Sequence, residues 1–284
     1  MVTKGIGELF TISKGDVTAV VDSFGAKVLS INVAGREILF YDENDIGHSG
    51  IPLCFPAFGP LKDGKFIVDG TPYPMNQHGF IRDSQFEIEK TDSTLTCTLC
   101  SNEETLKRYP FAFEFTVYYE VIDDGLSIRF IMENNSDRDL LIAPGVHPYF
   151  AVADNESITI TSGAIVGNDN SDGYAEKTVE KSGVFEIVQT ASNGLRELKI
   201  KGSPDIHLLN HNLNTTLIST GHEFGIAMTA DCAVFDRMTV WRKNETVPYI
   251  CVEPACAQNA INTNPIGIPV DSALDTAVTI VLNR

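Results

Sequence analysis

Alternation of apolar and polar residues is the dominant pattern along this chain of 284 residues. Short runs of β-branched and aromatic residues alternate with polar ones, which is typical of half-buried strands. The clearest runs span residues 17–21, 26–33, 85–89, 93–99, 113–121, 126–132, 157–161, 195–200 and 276–281. No long segment has the i, i+3, i+4, i+7 spacing of an amphipathic helix, so we expect an all-β fold.

The residues between these runs indicate the type of sheet. Residues 123–125 (DDG) stand between two strand runs and predict a hairpin. Many short strands joined by Gly, Asn and Pro turns favour an antiparallel sandwich over alternating strands and helices. No linker, charge block or repeat interrupts the pattern. We therefore predict one domain over residues 1–284, folded as a large antiparallel β-sandwich.

One segment breaks the strand rhythm. Residues 50–60 (GIPLCFPAFGP) contain three prolines and two glycines among apolar side chains. Such a composition predicts a rigid, extended loop, and binding sites are often built on loops that a rigid scaffold holds.

Charge and hydropathy narrow the choice of partners. The net charge of -17 disfavours nucleic acid and anionic lipid, which an acidic surface repels. No apolar run approaches the roughly 20 residues that a membrane span requires. We expect a cytoplasmic protein without a membrane or nucleic-acid partner, either a monomer or a homodimer.

Two histidines and one glutamate are the residues best placed for acid–base chemistry. His147 lies in residues 143–150 (APGVHPYF), where Pro148 restricts the backbone of His147 to extended geometry. Glu253 ends the apolar run of residues 249–252, where a carboxylate is uncommon unless it is paired or functional. A partly buried glutamate has a raised pKa and can act as a base near neutral pH. His78 precedes Gly79, which permits a tight backbone path.

Four further residues are candidates for binding a substrate. Arg82, four residues after His78, offers a planar donor fork for hydroxyl or phosphate groups. Tyr149 stands beside His147. Asp205 and Trp241 offer a carboxylate and an aromatic face, although a turn aspartate and a core tryptophan explain them equally well.

Motifs for a cofactor are absent from the sequence. There is no G-x-G-x-x-G, Walker A or G-x-S-x-G motif, and Cys97 and Cys100 form a lone C-x-x-C. The spacing of the remaining histidines is not that of a metal site on a strand or helix (His48, His207, His211 and His222). We therefore expect no cofactor and no metal.

Together these motifs resemble the galactose mutarotase-like (aldose 1-epimerase) superfamily. The resemblance runs in order through residues 50–60, 77–86, 143–150, 205–209 and 252–254. It implies a sugar site on the concave face of a large β-sandwich. By this resemblance His147 is the general acid, Glu253 the general base and His78 the second site histidine, while the sugar-binding residues include Arg82 and Asp205.

The activity that the resemblance implies is interconversion of the α- and β-anomers of a hexose. The scheme has Glu253 ionised and His147 protonated before the ring opens. Two alternatives remain open at this stage. One is a hexose-6-phosphate mutarotase, although no cluster of basic residues is evident in the sequence. The other is a non-catalytic carbohydrate-binding or sensing module, which has no need for both an acid and a base.

Overall fold

Short strands make up most of the chain, as a computed structural model shows for residues 2, 4–170, 177–189, 194–209 and 214–283. In the first half the strands are β1 (Leu9–Lys14), β2 (Val17–Asp22), β3 (Lys27–Val33), β4 (Arg36–Glu37), β5 (Leu53–Cys54), β6 (Lys65–Val68), β7 (Thr71–Pro74), β8 (Glu87–Lys90), β9 (Thr94–Cys100), β10 (Phe113–Ile122), β11 (Gly125–Asn134) and β12 (Leu140–Ile142). In the second half they are β13 (Gly145–Val146), β14 (Tyr149–Ala151), β15 (Ile158–Ser162), β16 (Val166–Asp169), β17 (Thr178–Val179), β18 (Phe185–Gln189), β19 (Arg196–Ile200), β20 (Asp205–Leu209), β21 (Thr215–Thr220), β22 (Gly225–Ala230), β23 (Arg237–Trp241), β24 (Tyr249–Ala255), β25 (Ile266–Ile268) and β26 (Ala273–Asn283).

Helices are few and short in the described residues. The two α-helices, α1 (Glu103–Leu106) and α2 (Ala260–Thr263), are each a single turn. Four 3₁₀ helices lie at Ile46–His48, Lys62–Gly64, Ile81–Asp83 and Asn155–Ser157. No helix in the described part of the chain is long and apolar enough to cross a membrane.

Two large sheets form the sandwich. One has ten strands in the order β18-β19-β15-β21-β22-β26-β11-β10-β9-β8. The other has eight, in the order β17-β16-β20-β23-β24-β13-β5 with β14 also paired to β24. Within the described residues the paired strands run antiparallel, so the predicted all-β antiparallel architecture is confirmed. A four-stranded sheet, β1-β2-β3-β4, and two ribbons complete the fold.

Alternation along the strands builds the core between the sheets. Strand β10 buries every second residue, and Phe115 and Val117 join one large apolar cluster with Val240, Ile250 and Val252 from the eight-stranded sheet. The nine strand runs predicted from the sequence all overlap strands, and most of these strands bury alternate residues. The hairpin at residues 123–125 is also confirmed, with Ile122 paired to Gly125.

Strand β24 departs from the prediction in a way that matters for the site. The sequence pattern predicts that the strand ends at Glu253, but the strand continues through Pro254 to Ala255. All seven residues of β24 are buried. One face packs on the main core, and on the other face Cys251 and Ala255 pack in two smaller apolar clusters. Glu253 is therefore in the interior of the sheet rather than at a strand end.

Candidate active site

Glu253 is a buried carboxyl on the face of β24 that points away from the main core. Ile250 and Val252 face the core, so the alternation of a strand directs Cys251 and Glu253 to the opposite face. Only 1% of Glu253 is exposed, and its Oε1 has no hydrogen-bond partner among the described residues. A buried polar atom without a partner costs free energy, which is typical of a group that meets a ligand.

His147 meets this carboxyl from the link between β13 and β14. Its Nε2 lies 3.4 Å from Oε2 of Glu253. Gly145 allows the link to approach Phe58 closely, because a Cβ at that position would lie 2.5 Å from the Phe58 ring. The imidazole then stacks on Tyr149 with ring centroids 4.9 Å apart. The predicted acid and base are thus brought together.

His78 completes this cluster through an unusual backbone path. His78 and Gly79 both have positive φ, 66° and 76°, and a Cβ at Gly79 would lie 1.9 Å from the carbonyl oxygen of Phe55. Glycine alone fits there. The His78 ring lies 5.3 Å from the His147 ring, measured between centroids. A left-handed histidine held by its surroundings is a type of backbone strain that clusters at functional sites.

The hydrogen bonds of His78 fix its tautomer. Its Nδ1 accepts a hydrogen bond from the Gly59 N–H at 3.2 Å, and the Cys54 sulfur lies 3.3 Å from the same nitrogen. Because Nδ1 is an acceptor, the proton of the neutral ring is on Nε2, which lies 3.2 Å from the Gln77 side-chain amide. Burial and the nearby charge of Arg82 lower the pKa of His78 to about 3, so the ring is a neutral donor at physiological pH.

Burial also shifts the pKa values of Glu253 and His147 in the direction that favours their uncharged forms. It raises the pKa of Glu253 well above its ordinary value, and the charge of Asp205 adds to this effect. It lowers the pKa of His147 well below 6.5, with His78 as the next cause. Both shifts favour the uncharged forms of the two groups, whereas the scheme expected from the sequence begins from a charged pair.

Neighbouring strands add binding groups beside this pair. The register places Thr239 opposite Glu253, Trp241 opposite Cys251 and Asp205 opposite Trp241. Asp205 accepts a hydrogen bond from the Asn170 side chain at 3.2 Å.

These side chains surround a cavity of about 300 Å³. Its lining includes six of the seven residues predicted from the sequence (His78, His147, Tyr149, Asp205, Trp241 and Glu253). The volume is in the range of small-molecule sites.

Arg82 is the exception among the predicted residues. It lies half-buried in the 3₁₀ helix Ile81–Asp83 and is not one of the described residues that line the cavity. Its charge nevertheless lowers the pKa values of His78 and His147. In this conformation Arg82 influences the site electrostatically and does not contact the cavity.

Several lining residues were not among the seven site residues predicted from the sequence. They are His48, Phe58, Gly59, Gln77, Thr239 and Gln258. Phe58 and Gly59 belong to the proline-rich loop that was predicted to be rigid, so this loop does help to build the site. His207, on β20, accepts a hydrogen bond from Arg237 at 3.2 Å. His211 lies outside the described residues.

One group of side chains has the composition of a metal site. Ligand atoms of His147, Cys251 and Glu253 lie within 4.8 Å of one another. Metal binding requires deprotonated ligands, yet burial raises the pKa values of both Cys251 and Glu253. The donor set is therefore poorly suited to a metal.

The fold and the site together define the class of this protein, an all-β sandwich in which a histidine and a glutamate meet in a polar cavity. The family model for aldose 1-epimerases matches residues 8–174, and the chain belongs to that family. The match contains His78 and His147. No curated protein matches the chain significantly.

Solved structures have the same fold over their whole length. The Slr1438 protein of Synechocystis sp. PCC 6803 is 21% identical with a TM-score of 0.84, covering 100% of this chain and 99% of its own. A galactose mutarotase-like protein from Lactobacillus casei is 22% identical with a TM-score of 0.78, covering 97% and 100%. A galactose mutarotase related enzyme from Lactobacillus acidophilus is 21% identical with a TM-score of 0.77, covering 98% of each chain.

Proposed function

We propose that the protein is an aldose 1-epimerase that interconverts the α- and β-anomers of an unphosphorylated hexose. The observation that carries the proposal is the 3.4 Å separation of His147 Nε2 and Glu253 Oε2 in a cavity of about 300 Å³. Opening a pyranose ring requires one proton to leave the anomeric hydroxyl and one to reach the ring oxygen. A base and an acid held against the same ring can perform both transfers.

The proposed reaction runs through the open-chain aldehyde. Glu253, as a carboxylate, takes the proton from the O1 hydroxyl, and the O1 electron pair forms the carbonyl. The C1–O5 bond breaks, and O5 receives a proton from the His147 imidazolium. Rotation about C1–C2 presents the other face of the carbonyl. The transfers then run in reverse, so the atoms and protons balance and both residues return to their starting states.

The pKa shifts of Glu253 and His147 match the charge states that the two residues have after ring opening. After ring opening the scheme leaves a protonated Glu253 and a neutral His147. Burial favours those same states, since it raises the pKa of Glu253 and lowers the pKa of His147. The site is therefore adapted to the bound open-chain form, which is the scarce species in solution. The charged pair forms by proton transfer from Glu253 to His147 when sugar hydroxyls donate to Glu253 Oε1, which has no partner among the described residues.

His78 has a separate role in this proposal. Its neutral ring keeps a proton on Nε2, since Nδ1 accepts from Gly59. A neutral donor does not compete with the His147 imidazolium as an acid. It can stabilise negative charge that develops on O1 or O5 as the bond breaks.

The charges around the cavity favour a neutral sugar. Among the described lining residues there are two carboxyl groups, on Asp205 and Glu253, and there is no lysine or arginine. A sugar phosphate brings a dianion that such a lining repels. Asp205 is suited to accept hydrogen bonds from neighbouring sugar hydroxyls instead. The hexose-6-phosphate alternative has less support, and a pure binding module leaves the close acid–base pair without a use.

Polarimetry tests this proposal directly. Fresh α-glucose, α-galactose and α-glucose 6-phosphate are each followed by optical rotation with and without the protein. We expect acceleration with at least one free hexose, and a kcat/KM for the phosphosugar that is at least about tenfold lower. A preference for glucose 6-phosphate would select the phosphosugar mutarotase. Anomer exchange at the buffer rate with all three sugars, by folded protein that binds them, would select the binding module.

A further inference from the structure

A third histidine stands at the mouth of the cavity with its orientation fixed. His48 ends the 3₁₀ helix Ile46–His48, and both carboxylate oxygens of Asp45 lie 2.9 Å from its Nδ1. An ionised carboxylate only accepts hydrogen bonds, so Nδ1 carries the proton. In the neutral ring Nε2 is then an acceptor, and it has no hydrogen-bond partner among the described residues. Since His48 lines the cavity, a ligand is the natural source of a donor.

The loop that carries His48 is anchored on both sides. The buried Ser49 hydroxyl donates to the Asp45 carbonyl at 2.9 Å and accepts from the Asp42 N–H at 2.9 Å. The Lys27 ammonium group donates to the Ile46 carbonyl. Just after the helix, the Gly50 carbonyl accepts from the Tyr149 N–H at 2.9 Å. These bonds hold the imidazole in place before a ligand arrives, which reduces the entropy lost on binding.

Aromatic rings set the position of His48 relative to the proton-transfer pair. Its ring is parallel to that of Trp241, with centroids 6.2 Å apart and an interplanar angle of 16°. The Tyr149 ring lies 6.0 Å from the His48 ring and 4.9 Å from the His147 ring. Tyr149 therefore lies beside both histidines, and His48 is the more exposed of the two. Its side chain is 33% exposed, which places it at the opening.

We propose that His48 is a substrate-binding residue whose Nε2 accepts a hydrogen bond from a sugar hydroxyl remote from the anomeric carbon, on C3, C4 or C6. Asp45 is the positioning residue that fixes the tautomer. The inference rests on the proposed function in one respect, since the anomeric carbon is taken to lie at His147 and Glu253. The bond is present in the ring form and the open-chain form alike. It therefore contributes uniform binding, which lowers KM and leaves kcat unchanged.

Kinetics of His48 variants give the first test. His48→Phe keeps a ring beside Trp241 but removes the acceptor, and we expect KM to rise about three- to tenfold with little change in kcat. His48→Gln restores an amide near the position of Nε2 and should recover part of the loss. Asp45→Ala should raise KM by a smaller factor. A KM for His48→Phe equal to that of the parent protein would overturn the proposal, as would a fall in kcat alone.

His222→Phe is a matched control. His222 also stacks on an aromatic ring, that of Phe224 at 4.9 Å, but it does not line the cavity. This variant should have the KM and kcat of the parent protein. If it raises KM as much as His48→Phe does, loss of a stacked histidine in general explains the effect and the proposal fails.

Deoxy sugars identify the hydroxyl. With the parent protein, kcat/KM for one of 3-, 4- and 6-deoxyglucose should be about three- to tenfold lower than for glucose, because that sugar lacks the hydroxyl that donates to His48. With His48→Phe the same sugar should lose nothing further. Equal losses in both proteins for all three sugars would contradict a hydrogen bond to His48.

Binding separates this inference from the proposed reaction. Trp241 is the single tryptophan of the chain and lines the cavity, so its fluorescence reports sugar binding without turnover. Weaker binding by His48→Phe in a protein that accelerates no anomer exchange would support His48 and reject the epimerase. Unchanged sugar affinity of His48→Phe, in a protein with normal turnover, would reject the role of His48 and support the epimerase. No sugar-dependent change in the parent protein would reject both.

Discussion

The neutral state of buried His78 should make the protein lose stability in mild acid. His78 is 7% exposed, and its pKa falls from 6.5 to about 3 because of burial and the nearby Arg82 charge. A group with a depressed folded-state pKa contributes stability above its unfolded pKa. This contribution is lost as the pH falls from 6.5 through the folded-state pKa. Acid therefore favours the unfolded chain, in which the imidazole can take up a proton.

The magnitude follows from the two pKa values. Each pH unit below 6.5 costs about 1.4 kcal/mol until the folded protein also binds the proton. Between pH 7 and pH 5 the loss is about 2 kcal/mol, and near pH 3 it approaches about 5 kcal/mol as an upper bound. The measurement is therefore made between pH 7 and pH 5, which avoids extreme acid.

Urea unfolding at pH 7 and pH 5 measures this loss. The free energy of unfolding should fall by about 2 kcal/mol less in His78→Gln than in the parent protein, since glutamine does not titrate. His207→Gln should behave similarly, because burial lowers the pKa of His207 to about 4. The comparison uses only the change with pH, so the cost of each substitution at pH 7 cancels. The same pH dependence in His78→Gln and the parent protein would refute the reasoning.

Three further outcomes are expected. Gly79→Ala should lower the free energy of unfolding by more than about 4 kcal/mol, because its Cβ would lie 1.9 Å from the Phe55 carbonyl oxygen. Gly70→Ala has a similar φ but open space around the Cβ, and should lower it by about 1–2 kcal/mol. Equal urea midpoints for the two variants would contradict this. The fall of kcat/KM in acid should begin well below pH 6.5, because His147 is protonated while Glu253 is also protonated only below the lowered pKa of His147. A kcat/KM that halves near pH 6.5 would contradict this. Because the pKa of Glu253 is raised in the folded protein, the parent protein should lose stability as the pH rises from 5 to 9, whereas Glu253→Gln should not. Urea unfolding at both pH values measures the difference.

The fold was predictable because its strands are amphipathic and of period two. The runs at residues 113–121 and 126–132 bury alternate residues against one core, so hydropathy alone located them. Strand β24 is different, because it is buried on both faces and its apolar run does not show where pairing ends. For this reason the sequence pattern placed Glu253 at the strand end, although β24 continues for two more residues.

The site was predictable where a local motif restricts the backbone. His147 before proline and His78 before glycine carry such signals, and both line the cavity. Thr239 and Gln258 reach it through sheet register and chain folding, which no short motif records. His48 lies in a loop whose position depends on a buried Ser49 and on contacts with Lys27. Arg82 shows the opposite case, since its motif is close to His78 in sequence yet its side chain does not line the cavity.

Optical rotation of a fresh α-hexose tests the central claim most directly, with the parent protein, Glu253→Gln and His147→Asn compared at equal concentration. The account predicts catalysis by the parent protein and a loss of about 10²–10⁴-fold in kcat in each variant. Combining the two substitutions should add little, because the two groups act as a unit. Catalysis by Glu253→Gln at close to the parent rate would contradict the account, since no base would remain for the anomeric hydroxyl.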